Sequence, residues 1–378
     1  MSEILPIVMP KWGLAMEEGT LTAWLVEDGS RIEKGQEIAE IETTKIANVF
    51  ESPASGIVRR LVAKQGDVLP VGALLAVLAP AAVSDADVDG FVAGFVVEAP
   101  ADADAAGGAV ERKLERDGRT LVYKAAGLQN EATPVVLIHG FGGDSDSWLF
   151  NIDELAKSRS VYALDLPGHG KSTKSLATGD LGELAQSVAD LLDDIGAAKA
   201  HLVGHSLGAA VAFETLQKSP GRVASLVGIA PIGLDDKVNA DFVDGFIAAE
   251  KRKDVKAALQ LLLADPDLVS AQMIEGVQRF KRIEGAKEAL RSIADKNLPS
   301  GRQTADFRAL IAENRVPLMI VWGERDTVLD PAAASGMPSS VEVVLVESAG
   351  HMPHMEASSV VNERLRGHFD SADNQGER

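Results

Sequence analysis

One serine in the chain has the surroundings of a catalytic nucleophile. It is the central residue of Gly204-His205-Ser206-Leu207-Gly208, which lies between the strand-like run 200–203 and an apolar helical stretch, 209–216. A strand that turns sharply into a helix lifts the serine hydroxyl clear of the backbone, and flanking glycines permit that turn. The motif alone occurs often by chance. Its position between a strand and a helix makes the prediction specific.

An acid and a base follow in the chain order Ser, acid, His. Asp326 ends the strand-like segment 317–326, and His351 lies in Ala349-Gly350-His351 after the next strand-like segment. In this order His351 takes the proton from Ser206, and Asp326 fixes the imidazole. We predict that these three residues form a catalytic triad. The alternative is an ordinary α/β domain whose serine is inert.

The remaining polar residues near these motifs receive lesser roles. The backbone N–H groups of Leu207 and Phe141 are expected to form the oxyanion hole. His354 lies three residues after His351, but no third metal ligand is apparent, so we expect a structural role and no metal. Asp165 and His169 lie in a loop and are expected to be positional, with a substrate contact as the alternative.

The elements that must position these residues are those of an α/β fold. Apolar strands alternate with helical stretches over 111–370, which predicts an α/β-hydrolase fold. Residues 231–302 are expected to form a helical cap, and 371–378 a polar tail. The cap carries Lys251-Arg252-Lys253 and Lys281-Arg282. These basic residues could attract the phosphates of a nucleotide-bearing thiol or could lie on a solvated helix face.

An internal repeat marks a separate domain in residues 1–80. Three glycines recur 37 positions later, and apolar positions between them correspond. The pairs are Gly19 and Gly56, Gly29 and Gly66, and Gly35 and Gly72. Short strands separated by glycine turns predict an all-β, flattened barrel with quasi-twofold symmetry.

Between the two halves, the segment Glu42-Thr43-Thr44-Lys45-Ile46-Ala47 is predicted to be an exposed hairpin tip. Residues 6–80 resemble the lipoyl domains of 2-oxoacid dehydrogenase complexes; matching segments are Glu17-Glu18-Gly19, Glu40-Ile41-Glu42-Thr43-Thr44-Lys45 and Ser52-Pro53-Ala54-Ser55-Gly56. The resemblance implies that Lys45 carries covalently attached lipoate as N6-lipoyllysine. A biotin carrier has the same fold, but methionines normally flank its lysine, whereas Thr44 and Ile46 flank Lys45.

The composition excludes several classes of protein. The net charge of −19 argues against nucleic-acid binding. The sequence has no apolar run that would span a membrane and no N-terminal signal sequence, so we expect a cytoplasmic protein. The chain has no cysteine, so thiol chemistry must come from an attached group or a ligand.

Residues 81–110 contain ten alanines and six acidic residues, which predicts an extended linker. Within it, the apolar patch 91–97 could dock on this chain or on a partner.

Over its full length the chain resembles the dihydrolipoamide acetyltransferase components of acetoin-cleaving systems. The resemblance implies that acetyl is transferred from lipoyl-lysine to coenzyme A. It also implies two partners, a thiamine-diphosphate-dependent acetoin dehydrogenase and a flavin dihydrolipoamide dehydrogenase. The His-x-x-x-Asp-Gly signature of the usual acyltransferase domain and a recognisable subunit-binding domain are absent. A serine hydrolase fused to a carrier, and a scaffold with little catalysis, are the alternatives.

Overall fold

The computed structural model describes residues 4–10, 18–43, 47–95, 108–313 and 316–376. The chain divides into two compact units. The first comprises Met1–Ala106 with Leu268–Met273, and the second comprises Gly107–Asp267 with Ile274–Arg378.

The first unit contains two four-stranded antiparallel sheets built from short strands. The strands are β1 (Leu5–Val8), β2 (Glu18–Trp24), β3 (Arg31–Ile32), β4 (Glu37–Thr43), β5 (Ala47–Glu51), β6 (Gly56–Leu61), β7 (Val68–Pro70) and β8 (Leu74–Leu78). One sheet has the order β1-β8-β6-β3 and the other β5-β4-β2-β7. Strands β1 to β4 precede Lys45 in the chain and β5 to β8 follow it, so each sheet combines two strands from each half. This is the flattened lipoyl-type barrel that the sequence predicted.

The quasi-twofold symmetry extends to individual hydrogen bonds. The Gly29 amide donates to the Val58 carbonyl at 2.7 Å, and 37 residues later the Gly66 amide donates to the Leu21 carbonyl at 2.7 Å. Gly29 and Gly66 have φ values of 89° and 92°, a left-handed conformation that glycine adopts without strain. The glycine repeat in the sequence thus marks equivalent turns.

The structure differs from the expected extended linker. Helix α1 (Asp85–Gly94) lies within 81–110, and Ser84 caps it by accepting a hydrogen bond from the Asp87 amide. Val88 is 1% exposed and packs with Phe91 and Val77 in a small apolar cluster on the first unit. The apolar patch therefore docks on its own chain as far as Phe95, and Val96 and Val97 lie outside the described residues.

The second unit is an eight-stranded sheet with helices around it. Its strands are β9 (Val110–Arg116), β10 (Arg119–Ala126), β11 (Val135–Ile138), β12 (Val161–Asp165), β13 (Ala200–His205), β14 (Val223–Ile229), β15 (Leu318–Gly323) and β16 (Val341–Val346). Its helices are α2 (Ile152–Leu155), α3 (Leu181–Asp194), α4 (Leu207–Lys218), α5 (Ala240–Ala248), α6 (Arg252–Gln260), α7 (Ala271–Lys281), α8 (Ala286–Asn297), α9 (Arg308–Glu313), α10 (Pro353–Glu356) and α11 (Ser358–Gly376).

The sheet order is β16-β15-β14-β13-β11-β12-β10-β9, and the pairs from β12 to β16 are parallel. Parallel strands must be covered on both faces, and β11, β13 and β15 are accordingly buried along their whole length. Helices α5 to α8 occupy the predicted cap region. Helix α11 continues to Gly376, so most of the predicted polar tail is the last part of a helix.

No helix in the described part of the chain is long and apolar enough to cross a membrane.

Candidate active site

Ser206 occupies the turn between β13 and α4. Its φ of 53° and ψ of −113° are an unusual conformation for a residue other than glycine, and its amide donates to the Ile229 carbonyl at 2.9 Å. Such strain persists only when the surrounding structure enforces it. The turn matches the nucleophile elbow that the sequence predicted, with the serine at the N-terminus of α4.

Both motif glycines are required by close packing. A Cβ on Gly204 would lie 2.3 Å from the Gly208 carbonyl oxygen, and one on Gly208 would lie 2.2 Å from the Ile138 carbonyl oxygen. A Cβ on Gly140 would lie 3.2 Å from the Ser206 Cβ. The absence of these side chains lets the end of β11 and the start of α4 approach each other beside the serine.

The same approach brings the segments that carry the two predicted oxyanion donors close to Ser206. Leu207 is the first residue of α4, where a backbone N–H has no partner within the helix. Phe141 directly follows Gly140, whose α-carbon lies beside the serine. Donors placed in advance around a developing oxyanion are the arrangement that acyl transfer requires.

His351 and Asp326 are brought together by the loops after β16 and β15. The distance from His351 Nδ1 to Asp326 Oδ2 is 2.7 Å, and the Asp326 side chain is fully buried. Burial raises the pKa of Asp326, but His351 and hydrogen bonds from Leu329 and Val328 outweigh it, so the pKa lies below its usual value. The carboxylate is therefore ionised and able to orient the imidazole.

The loop that carries His351 is anchored to two other elements. The His351 amide donates to the Leu262 carbonyl at 2.9 Å, in the turn after α6. The His351 carbonyl lies 2.8 Å from Nε2 of His205, the residue just before Ser206. Burial, together with His354 and His351, lowers the pKa of His205 well below its usual value. A neutral His205 can donate a hydrogen bond from Nε2 to the His351 carbonyl and so help to fix the His351 loop.

Helix α5 covers the site with two aromatic rings one helical turn apart. The ring centroid of Phe242 lies 6.5 Å from that of His351, and the centroid of Phe246 lies 6.1 Å from that of Phe141. A Cβ on Gly142 would lie 2.3 Å from the Phe246 ring. Ser206 is 4% exposed and Phe246 is 2% exposed, so both the serine and the α5 ring are buried.

Lys281 has a different role from the one considered for the basic cap residues. It is 8% exposed, and its Nζ donates to the carbonyls of Phe246 and, at 2.8 Å, Ala249. Burial, followed by the charge of Lys287, lowers the pKa of Lys281 to about 8. Lys281 therefore fixes the C-terminal end of α5 and does not face solvent, where phosphates would bind.

His354 contributes packing. Its ring centroid lies 4.6 Å from those of Trp148 and His205, and neither ring nitrogen has a hydrogen-bond partner among the described residues. Burial, followed by the charge of His351, lowers its pKa to about 3, so the ring is neutral. Asp165 is positional, because it accepts hydrogen bonds from the Ser145 and Lys171 amides at 2.7 and 2.8 Å.

Lys45, the predicted lipoate acceptor, lies outside the described residues. The strands on either side of it are described. β4 and β5 pair antiparallel, with Glu42 opposite Ala47. The pairing fits the predicted hairpin, whose connection is the segment that contains Lys45.

Comparison with known proteins agrees with both halves of this architecture. A family model described as "alpha/beta hydrolase fold" matches residues 133–358, and one described as "Biotin-requiring enzyme" matches residues 6–78. The dihydrolipoyllysine-residue acetyltransferase component of the acetoin cleaving system of Pseudomonas putida is 45% identical over 97% of this chain and 98% of its own length. The chain belongs to this acetyltransferase family. The corresponding component of Cupriavidus necator is 44% identical over 97% of both chains.

Among solved structures, a membrane phospholipase A matches with a TM-score of 0.62 at 24% identity, over 70% of this chain and 87% of that one. This likeness confirms the α/β-hydrolase fold alone.

Several residues that shape this site of the acetyltransferase were not predicted from the sequence. Trp322 donates from Nε1 to Asp326 Oδ2 at 2.9 Å, and Glu356 accepts hydrogen bonds on both sides of His351. Only their positions, four residues before the acid and five after the base, could have drawn attention to them. The aromatic pair of α5 has no comparable signal, because its contacts are made by tertiary packing.

Proposed function

We propose that this chain transfers acetyl groups from lipoyl-lysine at Lys45 to coenzyme A, with Ser206 as nucleophile, His351 as base and Asp326 as orienting acid. The proposal is carried by the strained Ser206 turn together with the hydrogen-bonded His351–Asp326 pair, whose His351 carbonyl lies 2.8 Å from Nε2 of the adjacent His205. Full-length similarity to acetyltransferase components supports the acetyl group and the lipoyl donor.

In the first step the Ser206 hydroxyl attacks the carbonyl carbon of the acetyl thioester. His351 takes the hydroxyl proton at Nε2, because Asp326 holds the Nδ1 proton on the opposite side of the ring. The N–H groups of Leu207 and Phe141 stabilise the tetrahedral oxyanion. When the carbon–sulfur bond breaks, His351 returns its proton to the departing sulfur, and Ser206 carries the acetyl group.

In the second step His351 deprotonates the coenzyme A thiol, whose sulfur attacks the acetyl-serine carbonyl. The same two N–H groups stabilise the second oxyanion, and His351 returns the proton to the Ser206 oxygen as the ester bond breaks. The acetyl group leaves as acetyl-coenzyme A. One thioester is exchanged for another, so neither oxidation nor reduction occurs.

The burial of the site beside the aromatic rings of α5 supports acetyl transfer over hydrolysis. Water that reached acetyl-Ser206 would waste the thioester, and a covered site limits that reaction. Phe242 packs near His351, Phe246 packs near Phe141, and all three phenylalanine rings are less than 10% exposed. A thiol-bearing acceptor must enter by displacing part of this cover.

Lipoate on Lys45 would supply, in its reduced form, the thiol that carries the acetyl group. The first unit matches carriers of such groups, and its β4–β5 hairpin would present the lysine. Covalent tethering raises the effective concentration of the acetyl group at Ser206. By analogy with the acetoin cleaving systems, we propose a thiamine-diphosphate-dependent acetoin dehydrogenase as the source of acetyl and a flavin dihydrolipoamide dehydrogenase as the enzyme that reoxidises the dithiol.

The decisive experiment loads the lipoylated protein with acetyl groups and follows them by mass spectrometry, with and without coenzyme A. We expect acetyl-coenzyme A to form with wild-type Ser206 and an acetyl adduct on Ser206 without coenzyme A. The Ser206→Ala variant should do neither. Near-normal transfer by Ser206→Ala would refute the covalent route.

The competing function is hydrolysis, which uses the same three residues. Release of free acetate at one rate, whether or not coenzyme A is present, would establish a hydrolase and overturn the proposed transfer. Loss of loading in Lys45→Arg, with Ser206 still reactive towards p-nitrophenyl acetate, would separate the carrier from the catalytic unit.

A further inference from the structure

The base His351 is held by more contacts than the triad itself requires. Its flanking amides, those of Gly350 and Met352, both donate to Glu356 Oε1, at 2.9 and 3.2 Å. The other carboxylate oxygen, Oε2, accepts a hydrogen bond from the Ala264 amide at 2.7 Å. One side chain thus joins the loop that carries the base to the turn that follows α6 in the cap.

The two loops that Glu356 joins are in close contact. A Cβ on Gly350 would lie 2.6 Å from the Ala264 amide nitrogen and 2.9 Å from the Leu263 carbonyl carbon. The His351 amide donates to the Leu262 carbonyl across the same contact. Displacement of the cap turn 261–264 would therefore also displace the backbone of the base.

From these contacts we propose that Glu356 is a positioning residue for His351. Through Glu356, the position of the cap turn 261–264 sets the distance and orientation of the imidazole relative to Ser206. The inference rests on the proposed role of His351 as base. It adds a coupling between the cap and the base, so that the position of the cap turn and the alignment of the triad depend on each other.

The chemistry of the carboxylate suits this role. An ionised carboxylate has only acceptor sites, and Glu356 directs them at three backbone N–H groups. Burial raises the pKa of Glu356, although hydrogen bonds from Ala264 and Gly350 oppose the rise. A glutamine has the same shape but replaces one acceptor with an N–H₂ donor, which must then face a backbone N–H.

The test compares Glu356→Gln and Glu356→Asp with Glu347→Gln, an exposed glutamate four residues before His351. Three quantities are measured on the full lipoylated chain: kcat and KM for acetyl transfer, the rate of Ser206 labelling by a fluorophosphonate, and the low-field proton resonance of the His351–Asp326 hydrogen bond. We expect Glu356→Gln to lower kcat and the labelling rate by about 10- to 100-fold, at a KM changed less than about threefold, and to shift or broaden the resonance.

Glu356→Asp should lower kcat and the labelling rate further than Glu356→Gln, because a side chain one methylene shorter cannot span both loops. Glu347→Gln should behave as wild type. A folded Glu356→Gln with wild-type kcat and labelling rate, or with a change in KM alone, would overturn the inference. If wild type releases acetate instead of acetyl-coenzyme A but its labelling still depends on Glu356, the transferase proposal fails and the positioning role stands.

Discussion

Asp326 holds His351 through Oδ2, 2.7 Å from Nδ1, and the same oxygen accepts a hydrogen bond from Trp322 Nε1 at 2.9 Å. Asp326 Oδ1 meanwhile accepts from the Val328 and Leu329 amides at 2.7 and 3.0 Å. The carboxylate is thus fixed at both oxygens. The imidazole has one favoured tautomer, with its proton on Nδ1 and its lone pair on Nε2.

We therefore expect Asp326→Asn to lower kcat for acetyl transfer by about 10³- to 10⁴-fold, because the amide would favour the wrong tautomer of His351. Steady-state kinetics with coenzyme A would measure the loss. Trp322→Phe keeps the carboxylate and removes only one donor, so its loss should be about tenfold or less. An Asp326→Asn variant that retained more than a tenth of wild-type kcat would contradict the assigned role.

Phe246→Ala should widen the acyl groups that Ser206 accepts. Removal of the ring opens space beside Phe141 and Gly142, and each methylene that gains apolar contact is worth roughly 1–3 kcal/mol. We expect the preference for p-nitrophenyl butyrate over acetate to rise by about tenfold or more in pre-steady-state acylation. Phe307→Ala is the matched control, because Phe307 is also buried but packs on Phe213, at 5.3 Å between centroids. An equal change in both variants would show that Phe246 does not limit the size of the acyl group.

His354→Phe should make the protein more resistant to acid. The folded pKa of His354 is about 3 and its ordinary value is 6.5, so between these values the unfolded chain binds the additional proton. Stability therefore falls as pH decreases from 6.5. Phenylalanine removes this proton uptake and breaks no described hydrogen bond. Urea unfolding at pH 7.5 and 5 should show a smaller acid loss for the variant, and an unchanged loss would refute the assigned protonation.

Val88→Ala should loosen α1 from the first unit. About 0.8 kcal/mol is lost for each buried methylene-sized group, so the variant should lose about 1.5 kcal/mol plus a cavity term. Hydrogen exchange of the β8 amides would detect it. Gly90→Ala is the opposite control, since a Cβ there meets no atom within 4 Å and alanine favours helix. Equal protection in both variants would show that α1 does not support the sheet.

Local chemistry explains which parts of the fold the sequence could predict. The elbow around Ser206 and the turns at Gly29 and Gly66 need unusual backbone conformations. Glycines, or a strand followed directly by a helix, indicate such conformations in the sequence. The paired acid and base could be found because each follows a recognisable apolar strand. The resemblance to lipoyl carriers supplied Lys45, which lies outside the described residues, so its role stays a prediction.

Features that depend on tertiary contacts were not predictable in the same way. The acidic, alanine-rich composition of 81–110 favours extended chain, but a serine cap and three or four apolar residues sufficed to dock α1. Lys281 belongs to a basic run, yet the carbonyls at the end of α5 bury it. Glu356 gains its contacts from loops that are distant in sequence.

The exchange of strands between the halves of the first unit bears on how that unit folds. β3 pairs with β6 and β7 pairs with β2, so each half completes the hydrogen bonding of the other. Neither half can close its sheet alone, and folding should be all-or-none, with no stable half-folded intermediate. Strand β4 lies between β2 and β5, so this strand of the hairpin is held by the barrel, whereas β5 lies at the edge of its sheet. A prosthetic group attached between β4 and β5 would thus be carried by a strand whose position depends on the folding of the whole unit.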